Sequence, residues 1–162
     1  MKRLLPVLMG FALLLLSSTE GWSADYQKGL DASKRGDYAT ALREWRPLAE
    51  QGDASAHFNL GLMYFDGQGV PQDFKTAVKW FRLAAEQGHA RAQYNLGVMY
   101  YKGQGVIQDN VYAHMWWNIA ASSGNKYASN NRDIVAKKMK SADLSKAKDL
   151  AVECVGKKYK RC

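Results

Sequence analysis

Two cysteines and three histidines are all that this 162-residue chain offers a metal or redox centre. Cys154 and Cys162 stand eight residues apart with no histidine near them, which is not a zinc-ligand spacing. His57, His89 and His114 are dispersed along the chain, so neither a metal site nor a cofactor is expected. No Gly-x-Ser-x-Gly stretch presents a serine nucleophile. No glycine of the glycine-rich stretches is followed directly by Lys-Ser or Lys-Thr, and no strand precedes them, which removes a phosphate-cradling loop. Nothing in the sequence selects a catalytic pair of carboxylates, so an enzyme is not expected. Net charge is also missing from most of the chain, with ten Lys/Arg against ten Asp/Glu between Asp25 and Gly124. The formal net charge of +8 resides mainly after Gly124, where eleven basic residues face four acidic ones. A uniform nucleic-acid-binding surface is therefore excluded, and no nucleic-acid partner is expected.

Long hydrophobic runs are equally scarce. Leu4 to Leu16, behind Lys2 and Arg3, is too short for a comfortable membrane span. With the small and polar residues that follow, residues 1–24 read as a secretory signal peptide cleaved after Ser23 or Ala24. An uncleaved N-terminal anchor is the alternative. No cysteine near the cleavage region offers a lipid attachment point. The expectation is a periplasmic or secreted protein with no stable membrane insertion after cleavage. In such a compartment Cys154 and Cys162 are expected to form a disulfide that closes a short loop, with Gly156 ending a helix between them.

What the chain does have is repetition. Residues 52–87 and 88–123 align without a gap at a period of 36, with 18 identical positions. A period in this range, built from two apolar-periodic segments, marks stacked helix pairs. Residues 25–51 form a first, shorter unit, because Gly29 to Asp37 is four residues shorter than Gly61 to Asp73. Each unit parses as helix A, loop and helix B. Asp53, His89 and Asn125 are the expected N-caps of A helices, and Asp37, Asp73 and Asp109 those of B helices. Gly67-Gln68-Gly69-Val70 and Gly103-Gln104-Gly105-Val106 supply loops with tolerance for positive φ, and the two valines are expected to tuck under the pair. Gly61 and Gly97 should let helix A approach helix B, with Tyr64, Tyr100, Trp80 and Trp116 filling the remaining space. Beyond Gly124 the pattern decays. Residues 125–162 read as a modified helix A, a last helix from about Asp143 to Val155, and a basic tail. Ile134, Met139, Leu144, Leu150 and Val152 are candidates for the apolar seam that closes the stack.

Ala54-x-Ala56-x-x-Asn59-Leu60-Gly61-x-Met63-Tyr64, followed by Gly67-Gln68-Gly69-Val70-x-Gln72-Asp73 and then Ala77, Trp80, Ala84 and Ala85, closely resembles the Sel1-like repeat. That repeat is a relative of the tetratricopeptide repeat. The resemblance implies an all-α, right-handed α-solenoid of antiparallel helix pairs, closed by a C-terminal capping pair. It also implies a non-catalytic adaptor that binds a protein partner, often at the cell envelope. In tetratricopeptide-like arrays the A helices line the concave face. The groove would then show Ser55, Phe58, Asn59, Leu62, Phe65 and Asp66, followed by Arg91, Tyr94, Asn95, Val98, Tyr101 and Lys102. Asn59 and Asn95 either hold a peptide backbone, as an asparagine at this place does in related grooves, or brace the neighbouring helix; both readings are open. Some cysteine-rich relatives of the wider repeat family are linked to β-lactam hydrolysis, but their one-disulfide-per-repeat pattern is absent here.

A second reading places binding in the tail. Lys157, Lys158, Lys160 and Arg161 would hold a cell wall or another anionic polymer, with tyrosines stacking on sugars. Because three units and a cap are close to the lower limit for a stable array, a homodimer through an open end is also conceivable.

Overall fold

The computed structural model describes residues 24–162, so residues 1–23 of the expected signal peptide lie outside the described residues. Among the described residues there are eight α-helices and no strand. In chain order they are α1 (Tyr26–Lys34), α2 (Tyr38–Glu50), α3 (Ala54–Asp66), α4 (Phe74–Ala85), α5 (Ala90–Lys102), α6 (Asn110–Ser122), α7 (Lys126–Ala136) and α8 (Ser141–Gly156). The odd-numbered helices are A helices and the even-numbered ones are B helices. No helix of the described residues is long and apolar enough to cross a membrane.

Helix starts are set by side chains that accept the orphan N–H groups of the first turn. Asp37 accepts from Thr40, Asp53 from Ala56, Asp73 from Lys75 and Thr76, and Asp109 from Val111 and Tyr112. His89 does the same for Ala92 through Nδ1, and Asn125 for Ala128. Only α8 begins without such a cap, at Lys140.

Within each pair, a glycine on helix A lies against an aromatic ring on helix B. A Cβ at Gly29 would fall 2.5 Å from the Trp45 indole, one at Gly61 2.5 Å from Phe81, and one at Gly97 2.5 Å from Trp117. The indole N–H groups are satisfied within the same pair, since Trp45 Nε1 donates to the Tyr26 carbonyl at 3.2 Å and Trp117 Nε1 to that of Tyr94 at 3.1 Å. The ring behind Gly97 is therefore Trp117, while Trp116 is buried in the core shared with Phe81 and Met99. Tyr64, Tyr100 and Trp80 are only half-buried.

Between pairs, two devices recur one period apart. His57 Nε2 lies 2.8 Å from the Ala49 carbonyl, and Gln93 Nε2 donates to the Ala85 carbonyl at 3.2 Å. Each ties an A helix to the end of the preceding B helix. The glycine loops supply the second device. Gly69 and Gly105, both at φ +72°, press against the first residues of α2 and α4, namely Tyr38 and Phe74. Val70 and Val106 are partly buried beside them.

The closing elements depart from the sequence expectation. Both α7 and α8 pack on α6. Of the expected seam, Ile134 and Val152 are exposed, whereas Met139 and Leu150 pack against the core. The residues actually buried are Ala128 and Val135 on α7 and Ala147, Ala151 and Cys154 on α8. A spacing of four and then three puts the last three on one helical stripe, and their small size lets α8 lie close. Val152 follows Ala151 directly and so points away from that stripe.

Candidate functional site on the A-helix wall

The wall made by α3, α5 and α7 carries two adjoining cavities that share Tyr94. The larger, about 550 Å³, is lined by Phe58 and Leu62 from α3, by Arg91, Tyr94 and Asn95 from α5, and by Asn125, Lys126 and Tyr127 where α7 begins. The smaller, about 220 Å³, continues past Tyr94 along Val98, Tyr101 and Lys102 to Trp117, Asn131 and Ile134. All six residues expected on α5 thus line this surface.

The six expected on α3 divide. Phe58 and Leu62 line the larger cavity. Phe65 packs into the core against Phe74 and Phe81, at centroid distances of 5.4 and 6.4 Å. Ser55 is half-buried and Asp66 exposed, and neither lines a cavity. Asn59 is buried and donates through Nδ2 to the Tyr26 hydroxyl at 3.0 Å, so it braces α3 against α1. Asn131 makes the corresponding but longer contact, 3.5 Å to the Tyr94 hydroxyl.

Sequence reasoning stopped the groove at Lys102 and missed the contribution of α7. The signal was present, because adding one period of 36 to Arg91, Asn95 and Val98 gives Tyr127, Asn131 and Ile134. The decay of the Leu-Gly pair after Asn131 hid it.

Cationic side chains of the wall lie against its aromatic rings. The Arg91 guanidinium stands over the Phe58 ring, 4.8 Å from its centroid, a cation–π geometry. His89 stacks on the same ring at 4.6 Å. Lys138 donates to the Tyr101 hydroxyl at 3.0 Å. Burial holds all three imidazoles below their ordinary pKa, helped by Arg91 at His89 and by Arg132 and Lys148 at His114. They are neutral at pH 7; His57 lies against the Ala49 carbonyl and His89 caps α5, whereas His114 is buried on α6 with Nδ1 unpartnered. Among the described residues, no three His, Cys, Asp or Glu side chains converge on a point that could hold a metal.

The basic tail is folded rather than loose. Cys154 and Cys162 lie at disulfide distance, with Cα atoms 5.4 Å apart. The last helix ends at Gly156, and the turn beyond it is made by Lys158, Tyr159 and Arg161, all at positive φ. Tyr159 lies against Gly88, so the loop is pinned to the α4–α5 junction. Lys157, Lys160 and Arg161 line a separate open depression of about 620 Å³ together with Glu86, and Lys157 is also paired with Glu153. Lys158 does not line that depression.

The Sel1 repeat family model matches residues 54–89 and 90–125. Among solved structures, a protective antigen present in uropathogenic Escherichia coli strains, displaying an SLR fold, is 33% identical with a TM-score of 0.76. The match covers 82% of this chain and 30% of that one. A Sel1 repeat protein from Oxalobacter formigenes is 31% identical with a TM-score of 0.64, covering 67% of this chain and 44% of that one. The chain therefore spans less than half the length of either relative. No curated protein matches it.

Proposed function

The chain is a Sel1-repeat protein, and from that premise we propose that it is a non-catalytic interaction module of the cell envelope. Proteins built from these repeats generally mediate protein–protein interaction. The partner segment lies along the wall of α3, α5 and α7. The observation that carries this reading is the pair of adjoining cavities that meet at Tyr94. Their lining is apolar and aromatic with a few polar groups, the composition of a recognition surface. The cysteine pair fits an oxidising compartment such as the periplasm.

The test compares three forms of the chain in capture experiments from envelope extract: unaltered, Val98→Glu with Tyr101→Ala, and a tail variant with Lys157, Lys160 and Arg161 changed to Glu. A specific partner retained by the tail variant and lost from the wall variant supports the proposal. Loss from the tail variant alone overturns it.

A second reading rests on the depression formed by Lys157, Lys160 and Arg161. An anionic polymer held there would dissociate as ionic strength rises, because exposed charges are screened within about 8 Å at physiological salt. Binding on the wall depends less on salt, because its apolar contacts are not screened.

A further inference from the structure

The wall repeats an asparagine and, on the preceding A helix, an aromatic ring that faces it. Asn59 is held by the hydroxyl of Tyr26 and Asn131 by that of Tyr94. In the same register the residue facing Asn95 is Phe58, which has no hydroxyl. Asn95 and Phe58 line the same cavity, and among the described residues the Asn95 carboxamide has no hydrogen-bond partner. The middle rung of the ladder is therefore open. Charge on the wall is also one-sided. Arg91, Lys102 and Lys126 line the two cavities, no carboxylate lines either one, and none of the three cations forms an ion pair among the described residues.

We propose that the cavity between Phe58 and Asn95 takes an acidic, extended peptide segment of a partner protein. This rests on the wall reading above and names its ligand chemistry. A carboxamide presents a donor and an acceptor side by side, which is the complement of a backbone amide. Asn95 thus holds the peptide main chain. Arg91, fixed in place over Phe58, and Lys126 at the start of α7 meet one carboxylate of the segment through charge-assisted hydrogen bonds. An apolar side chain beside that carboxylate rests on Leu62, Tyr94 and Tyr127. Tyr127 is 75% exposed, which leaves its ring free to cover the ligand. The segment continues past Tyr94 toward Lys102, where a second acidic residue is favoured.

The decisive variant adds an atom rather than removing one. Phe58→Tyr supplies the missing hydroxyl, closes the middle rung onto Asn95 and takes its carboxamide out of play. The full chain, with its disulfide intact, is applied to an array of random-sequence dodecapeptides, and the selected peptides are titrated in solution. The expected selection is rich in Asp or Glu next to Leu, Phe or Tyr. Asn95→Ala, Phe58→Tyr and Arg91→Gln each weaken those peptides about tenfold, the loss of one buried charged or bidentate contact. Thermal unfolding of Phe58→Tyr stays at or above that of the parent, which separates a binding role from a structural one. Ile107→Ser, on an exposed loop, leaves binding unchanged. Selection of neutral or basic peptides that Asn95→Ala still displaces overturns the acidic segment and leaves the wall reading standing. Selected peptides indifferent to Asn95→Ala and to Val98→Glu, or no selected peptide at all, overturn the wall reading itself. Should Phe58→Tyr fail to fold, Asn95→Ala and Arg91→Gln decide the matter alone.

Discussion

Replacing Gly97 by alanine adds one methyl group to the α5–α6 crossing. The new Cβ would lie 2.5 Å from both Cδ1 and Nε1 of Trp117, a buried ring whose N–H is already committed to the Tyr94 carbonyl at 3.1 Å. Two costs follow. Overpacking a filled contact costs about 1–3 kcal/mol. Pushing the indole away leaves a buried donor unsatisfied, at about 1–3 kcal/mol more. Against these stands the helix preference of alanine over glycine, about 1 kcal/mol. The net expectation is a loss of about 3 kcal/mol. Gly61→Ala serves as an internal control. Its methyl group meets Phe81, also at 2.5 Å, but no hydrogen bond is at stake, so it should cost less by about the polar contribution. Urea unfolding, followed by circular dichroism for both variants and by tryptophan fluorescence for Gly97→Ala, measures the difference. Equal costs at the two glycines would refute the hydrogen-bond contribution, and a stabilising alanine at Gly97 would refute the idea that these glycines exist to admit the rings.

Three further outcomes are expected. Reducing the Cys154–Cys162 bond, or replacing both cysteines by serine, should cost about 2–3 kcal/mol by loop-closure entropy, and limited proteolysis should then cut the freed tail after its lysines. Acid should destabilise the fold from about pH 6.5 downward, because the unfolded chain gains protons on His57, His89 and His114 that burial keeps off the native imidazoles. Above that pH the contribution is fully present. His57→Gln, which copies the residue one period later at Gln93, should keep the contact to Ala49 and flatten the pH dependence of the unfolding midpoint; an unchanged slope would assign the acid effect elsewhere. Gly105→Ala should be more damaging than Gly124→Ala. Both residues sit at positive φ, at a cost of about 1–2 kcal/mol for alanine, but a Cβ at Gly105 would press on the backbone at Phe74, while one at Gly124 would meet nothing within 4 Å.

Sequence and structure agree best where the determinant is local. A cap needs one side chain and the next three residues, so Asp37, Asp53, Asp73, His89, Asp109 and Asn125 could be assigned from spacing alone, and every one is a cap. The period likewise fixed the hairpins and both glycine loops. Long-range pairings were less legible. The bond that occupies Asn59 comes from Tyr26, thirty-three residues away in the chain, so its bracing role appears only once α1 and α3 lie side by side. Trp116 and Trp117 are adjacent and equally apolar, and only the rotation of α6 decides which one enters the notch at Gly97. The last helix was expected, but its buried face escaped because the packing stripe is Ala147, Ala151 and Cys154, small residues that carry a weak hydrophobic signal beside the larger but exposed Val152. On the A-helix wall, Tyr127 and Asn131 obey the repeat, but charged neighbours at Arg132 and Asp133 break the motif that would have announced them.

The most direct measurement is chemical-shift mapping of the full chain as a selected peptide is added. Perturbations should centre on the side-chain amide of Asn95 and on Arg91, Tyr94, Val98 and Tyr127, with the Asn59 amide unmoved behind its bond to Tyr26. Shifts confined to Lys157–Arg161, or to the B helices α4 and α6, would contradict a binding wall made of A helices.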